Sequence, residues 1–151
     1  MGGTIIHGKN NSPRFLVWAI SDPLGAPLQR AQIIKGWLED GEHREKVFDV
    51  ACSDGLSVDT ITHRCPDNDA TVNLDDCSIS SDKGDSEIKT FWRDPEFRQD
   101  QDAFYYSRVL ENPTCRWSTW DAMRDNESPR SDIPATIQER AWSSPIWYTK
   151  Q

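Results

Sequence analysis

Short apolar runs separated by turn residues define the pattern of this chain. The run RFLVWAI over Arg14–Ile20 is β-branched and aromatic, and it predicts a buried strand. The run AFYYSRVLE over Ala103–Glu111 predicts a second strand, because two sets of side chains alternate along it. Shorter runs predict further strands at residues 86–93 and 144–148.

Residues 31–52 fit two structures. Four apolar residues recur at helical spacing: Ile33, Ile34, Trp37 and Leu38. The pair Asp40-Gly41, however, is a strong signal for a hairpin turn, and a β-prone run follows it. We therefore interpret the segment as a hairpin of strands at 31–39 and 44–52, with a helix as the alternative.

The remaining elements are short. A helix is predicted at residues 119–124 with Thr119 as its N-cap, and one helical turn is predicted at 135–140. Residues 1–13 form a polar lead-in. The whole pattern predicts one mainly β domain over residues 1–151, an immunoglobulin-like or related antiparallel β-sandwich with one or two short helices.

A long polar loop at residues 53–85 contains Cys65 and Cys77 and directly follows Cys52, whereas the fourth cysteine, Cys115, lies later in the chain. A structureless loop of this length is unusual, and covalent ties would hold it in place. The cysteines lack the close pairs and the histidine spacing of a zinc site, so they predict two disulfides. Of the three possible pairings we favour Cys52–Cys65 with Cys77–Cys115. The alternative is four reduced thiols in a cytosolic protein, so a periplasmic or secreted location depends on the disulfides.

The charged residues of the chain argue against two classes of binding partner. The chain has 25 acidic and 17 basic residues, a net charge of -8. Nucleic acids and anionic membranes attract clustered lysine and arginine, and no such cluster is present in the sequence. We therefore predict neither a nucleic-acid nor a membrane partner.

No residue is predicted to be catalytic. The three histidines, His7, His43 and His63, share no motif. His63 lies close to Cys65, but a disulfide-bonded cysteine is not a nucleophile. The sequence has no glycine-rich phosphate loop, no nucleophile elbow and no paired glutamate motif, so no cofactor is predicted either.

Two sets of residues are candidates for ligand binding. The first offers the hard oxygen ligands that calcium prefers, without the spacing of an EF-hand: Asp67, Asp69, Asp75 and Asp76. A solvated acidic loop is the simpler interpretation of this set. The second set offers rings that stack on a sugar: Trp117, Trp120, Trp142 and Trp147. Burial of these rings would favour a scaffold, whereas a contiguous exposed surface would favour binding.

Six strings resemble a known family, and together they span nearly the whole chain. They are residues 1–3 (MGG), 15–23 (FLVWAISDP), 30–37 (RAQIIKGW), 45–51 (EKVFDVA), 103–117 (AFYYSRVLENPTCRW) and 136–148 (TIQERAWSSPIWY). They are similar to the carboxyl-terminal part of a bacterial family catalogued as domain of unknown function 3604. This resemblance favours the hairpin over the helix in residues 31–52.

The resemblance also implies a role. Full-length relatives look similar to metal-dependent hydrolases of the polymerase-and-histidinol-phosphatase type, whose metal ligands are expected in an amino-terminal barrel outside this sequence. No ligand therefore transfers to a position here. At least one preceding strand is also expected to be absent, which leaves an open sheet edge that self-association would cover. The expected function is a non-catalytic accessory domain that packs on such a barrel. A glycan- or ligand-binding module is the alternative, and an independent hydrolase is the least favoured.

Overall fold

The structure, a computed structural model, describes residues 2–6 and 12–150. These residues form ten strands and one helix. Strands β1 to β10 span, in chain order, Gly3–Ile6, Arg14–Ile20, Leu28–Glu39, Glu42–Cys52, Glu87–Arg93, Ala103–Glu111, Thr114–Cys115, Thr136–Ile137, Arg140–Trp142 and Ile146–Thr149. Helix α1 spans Trp117–Arg124, between β7 and β8. The chain is mainly β, as the sequence predicts.

Two sheets face each other across the core. The larger sheet has the order β1–β10–β6–β3–β4, with β9 also paired to β6, and the smaller sheet consists of β2 and β5. Their ladders are antiparallel except that β1 runs parallel to β10. Phe15, Val17 and Ile88 of the smaller sheet pack against Ile33 and Tyr105 of the larger one. This arrangement confirms the predicted antiparallel β-sandwich.

The β3–β4 hairpin is confirmed, and the helix alternative is wrong. Asp40 and Gly41 both have positive φ, 52° and 80°, which is the geometry of a two-residue turn whose twist matches the strands it joins. Strand β3 lies between β4 and β6, and both Ile33 and Ile34 are buried although they point to opposite faces. Burial on both faces explains why the apolar spacing of β3 resembles that of a helix.

The lead-in and helix predictions need correction. Strand β1 lies within the predicted lead-in, because its pairing with the distant β10 outweighs its glycine-rich composition. Helix α1 begins at Trp117 with Arg116 as N-cap, and Arg116 makes no side-chain capping bond. Thr119 is instead inside the helix, and its hydroxyl donates a hydrogen bond to the Ala135 carbonyl oxygen at 2.7 Å. The predicted N-cap is therefore wrong.

The helical turn predicted at residues 135–140 is also wrong. Ile137 pairs with Thr114 in the small β7–β8 ladder, and Arg140 pairs with Leu110 of β6. Both partners lie far away in sequence, so local propensity does not decide this segment. Among the described residues α1 is thus the single helix, and it is not long and apolar enough to cross a membrane.

The long loop at residues 53–85 is tied to the sandwich by both disulfides. Cys52 bonds to Cys65 and Cys77 bonds to Cys115, with Cα–Cα distances of 5.6 and 5.7 Å. Both distances are typical of disulfides. The structure thus contains the pairing that the sequence favours.

Polar networks reinforce these covalent ties. Asp49, which is fully buried, accepts hydrogen bonds from the Cys65 backbone N–H at 2.7 Å and from Gln32 at 2.6 Å, and it pairs with Arg30 at 3.1 Å. Buried Asn68 donates to the Asn112 side chain at 2.9 Å. Because buried polar groups need partners, these contacts fix the path of the loop against β3 and β4.

Candidate binding surfaces

The outer face of the smaller sheet is an exposed apolar surface, which we call the small-sheet face. Its side chains alternate with those that enter the core: β2 presents apolar residues on both faces, and β5 adds Phe91 between charged residues. Four large apolar side chains form its centre and are 51–70% exposed: Leu16, Trp18, Ile20 and Phe91. Strands with two apolar faces are typical of sheets covered on both sides. The described residues cover this sheet on one side alone.

The register places these four residues next to one another. Leu16 lies opposite Phe91, and Trp18 lies opposite Lys89. The indole N–H of Trp18 donates to the Glu87 carboxylate at 2.5 Å, so the ring is held in a fixed orientation. Clustered apolar side chains of this kind mark interaction surfaces, whereas scattered ones do not.

A second exposed aromatic surface lies on the outer face of the larger sheet. We call it the aromatic strip: Phe104, Tyr106, Trp142 and Trp147. The ring centroids of Trp147 and Phe104 are 5.3 Å apart, and those of Phe104 and Tyr106 are 6.3 Å apart and nearly parallel. Gly36 leaves room for the Phe104 ring, since any Cβ at this position would overlap that ring.

The structure divides the four tryptophans predicted as sugar-stacking residues. Trp142 and Trp147 belong to the aromatic strip, whereas Trp117 and Trp120 lie on α1. All four are 40–75% exposed. None of the four is buried, and within the described residues no ring contact joins the helical pair to the strip, so the four rings do not form one contiguous surface.

The four aspartates predicted as weak calcium ligands are not brought together. Asp67 accepts a hydrogen bond from the Asp69 backbone N–H at 3.1 Å, and Asp75 donates its N–H to Asn73. The Ser78 hydroxyl, bonded to Asp76, lowers the pKa of that carboxyl. Across residues 2–6 and 12–150, no group of three or more His, Cys, Asp or Glu side chains is close enough to hold a metal ion. The calcium prediction therefore gains no support from the geometry.

The histidines are dispersed. His7 lies outside the described residues, and His43 is exposed beside the β3–β4 turn. His63 packs its ring 5.1 Å from the ring of Phe48, and its neighbour Cys65 is disulfide-bonded. The described histidines thus form no cluster.

A groove of about 580 Å³ opens between the two sheets, where β1 and β10 face β2. Its lining includes Ile5, Tyr105, Ile146 and three consecutive residues of β2, 15–17. Among the described strands β5 alone pairs with β2, so the other edge of β2 runs along this groove. This edge is a candidate for the predicted self-association, which stays a prediction.

Sequence comparison identifies the family. Residues 1–150 match the family described as "Protein of unknown function (DUF3604)". The chain belongs to this family. No curated protein and no solved structure gives a significant match. The resemblance inferred from the sequence is thereby confirmed at the level of the family.

One buried polar cluster of this DUF3604 chain is not evident from the sequence. The Lys35 ammonium lies 2.5 Å from the Asp94 carboxylate and donates to the Glu96 carbonyl oxygen at 2.8 Å. The Tyr105 hydroxyl donates to the same carboxylate at 2.8 Å. Burial raises the pKa of Tyr105, and the negative charge of Asp94 raises it further. The Tyr105 hydroxyl therefore keeps its proton and donates it in the hydrogen bond to Asp94.

This cluster resembles an acid–base site in composition, but it is closed. The Lys35 side chain is 3% exposed and the Asp94 side chain is fully buried. Tyr105 is likewise buried between the sheets. Since a substrate has no access to these groups, the cluster holds β3, β6 and the turn after β5 together rather than acting on a ligand.

The small-sheet face is the surface that the DUF3604 sequence did not reveal. The run RFLVWAI predicts a buried strand, and half of that prediction is wrong because Leu16, Trp18 and Ile20 are exposed. One signal was present: β5 alternates charged residues with apolar ones, as expected of a strand with an outward face. The pairing of β2 with β5 joins residues that are far apart in sequence, so the residues of neither strand alone predict it.

Proposed function

We propose that this DUF3604 chain is a non-catalytic accessory domain that packs against another folded domain through its small-sheet face. The observation that carries the proposal is that β2 is apolar on both faces and Phe91 of β5 adds to its outer face, whereas within residues 2–6 and 12–150 the chain covers one side of this sheet. The closed Lys35–Asp94–Tyr105 cluster supports a role without catalysis. The partner that the family resemblance suggests is the hydrolase-like barrel of longer relatives. The two disulfides support a periplasmic or secreted location for this assembly.

Substitution within the small-sheet face should weaken docking. The probe is the amino-terminal barrel region of a longer family member, expressed as a separate chain and titrated by calorimetry. The Leu16→Ser/Ile20→Ser variant should bind about tenfold or more weakly, since burying each such side chain contributes roughly 1.5–3 kcal/mol.

The matched control is Leu24→Ser/Ile61→Ser. It removes the same residue types from positions that are 97% and 87% exposed and lie outside the small-sheet face. This control should bind as the wild-type chain does. A wild-type chain that gives no heat of binding, or a control that loses as much affinity as the test variant, would contradict the proposal.

The aromatic strip favours a second function, the binding of a glycan. The exposed Trp147 ring and the half-buried rings of Phe104 and Tyr106, with centroids 5.3 and 6.3 Å apart, offer a platform for the apolar face of a sugar ring. Neutral hexose oligosaccharides should change the tryptophan fluorescence of the wild-type chain, and Trp147→Ala should abolish that change. The control Trp117→Ala removes a ring of α1 that is more exposed, 75% against 51% for Trp147, and should leave binding intact. The absence of any response in the wild-type chain would exclude this function for that class of sugar.

A further inference from the structure

The border of the small-sheet face carries charge of the sign opposite to that of the whole chain. Four charged residues surround its apolar centre: Arg14, Glu87, Lys89 and Arg93. Three of them are cations on a chain whose net charge is -8. The single anion, Glu87, already accepts the hydrogen bond of Trp18. The face is therefore locally basic.

Within residues 2–6 and 12–150, the cations of this border have no anionic partner. Arg14 and Arg93 lie directly opposite each other in the β2–β5 register, an arrangement that like charges disfavour. Arg14 stacks 3.8 Å from the Phe91 ring, and Lys89 lies 4.3 Å from the Trp18 ring. Among the described residues none of the three cations forms an ion pair. Arg14 and Lys89 are held against rings of the face, and within the described part of the chain the charge of all three cations is unneutralised.

We infer that the occupant of the small-sheet face is a protein surface that is apolar at its centre and bordered by carboxylates. This inference rests on the proposed docking function and adds the chemistry of the partner. Carboxylates opposite Arg14 and Arg93 would supply the missing counter-charge, and guanidinium groups bind them in a bidentate manner. A second copy offers a single anion on this face, Glu87, which already accepts the hydrogen bond of Trp18, so symmetric self-pairing would leave cations without a counter-charge and is disfavoured.

The small-sheet face is too small to bind a partner tightly by itself. Two strands of seven residues extend about 24 Å, so the face is much smaller than the roughly 800 Å² that a stable interface buries on each partner. The natural contact must continue onto neighbouring surface. A test of the face alone therefore needs a method that detects weak association.

A charge-reversed copy of this chain provides the probe. The Arg14→Glu/Arg93→Glu variant keeps the apolar centre and acquires an acidic border, which is the surface that the wild-type face is inferred to accept. Titrating it into isotope-labelled wild-type chain should shift the indole N–H resonance of Trp18, assigned with Trp18→Phe. Trp147, on the opposite side of the sandwich, should not shift. The Trp18 shift should vanish at about 0.5 M salt, where charges are screened over a few ångströms.

The control is Arg140→Glu/Lys150→Glu, which changes the net charge equally at exposed positions outside the face. No shift with the charge-reversed copy, or an equal shift with this control or with unlabelled wild type, would overturn the inference. A shift produced by phosphatidylserine vesicles in place of the copy would overturn it in favour of a lipid surface. A chain that binds the barrel region but ignores the charge-reversed copy would keep the docking function and lose this inference.

Discussion

Replacing Lys35 with Met is expected to lower the free energy of unfolding by about 3–5 kcal/mol, the usual cost of leaving a buried charge without its partner. Lys35 neutralises the Asp94 carboxylate at 2.5 Å in the interior of the sandwich. Without the ammonium group, Asp94 keeps its hydrogen bonds from Tyr105 and from the Glu96 backbone N–H but has no counter-charge. Urea unfolding followed by circular dichroism would measure the loss.

Two further variants separate the effect of the unpaired buried charge from the effect of shortening or replacing a lysine side chain. Lys35→Met/Asp94→Asn removes both charges and keeps an acceptor for Tyr105, so it should recover much of the lost stability. Lys46→Met breaks the surface ion pair with Glu96, whose partners are 36% and 46% exposed, and should cost less than about 1 kcal/mol. If Lys35→Met cost no more than Lys46→Met, the interior ion pair would not stabilise the fold as described.

Removing the Cys77–Cys115 disulfide should be almost as damaging. Its sequence separation is 38 residues, against 13 for Cys52–Cys65. Because the longer loop has more conformational freedom when unfolded, Cys77→Ser/Cys115→Ser should cost about 4 kcal/mol and Cys52→Ser/Cys65→Ser about 3 kcal/mol. Urea unfolding of both variants gives the comparison.

The oxidation state requires its own measurement. Mass spectrometry after alkylation of the unreduced protein should detect no free thiol, and reduction should expose all four cysteines. A free-thiol count of four in the unreduced protein would contradict both bonds. A greater loss on removing Cys52–Cys65 than on removing Cys77–Cys115 would instead show that native contacts, such as those of Asp49, outweigh loop length.

The sequence predicts those parts of the fold that local chemistry decides. Asp40-Gly41 determines a turn by its backbone preference, and Ala103–Glu111 alternates clearly enough to define a strand and its bounds. Strand β1 and the segment after Ala135 escape prediction, because their conformation depends on partners elsewhere in the chain. Local propensity there is weak, and tertiary pairing overrides it.

The candidate surfaces differ in the same way in how far the sequence alone predicts them. The exposed tryptophans at positions 142 and 147 are identifiable by residue type, and the structure brings both to one face. The small-sheet face is not identifiable in that way, since an apolar strand has the same sequence whether its second face is covered by its own chain or by a partner. The Lys35–Asp94 pair is hidden for a similar reason, because charged residues are normally exposed.

The two strands of the smaller sheet lie far apart along the chain, and the sequence separation of Trp18 and Glu87 is 69 residues. Pairings of such high contact order form slowly, because the closure entropy of the intervening chain must be overcome before their contacts contribute. The β3–β4 hairpin, closed by a two-residue turn, has no such delay. We therefore expect the small-sheet face to be among the last features to form during folding, so that a newly made chain would offer it to a partner only after the sandwich has been assembled.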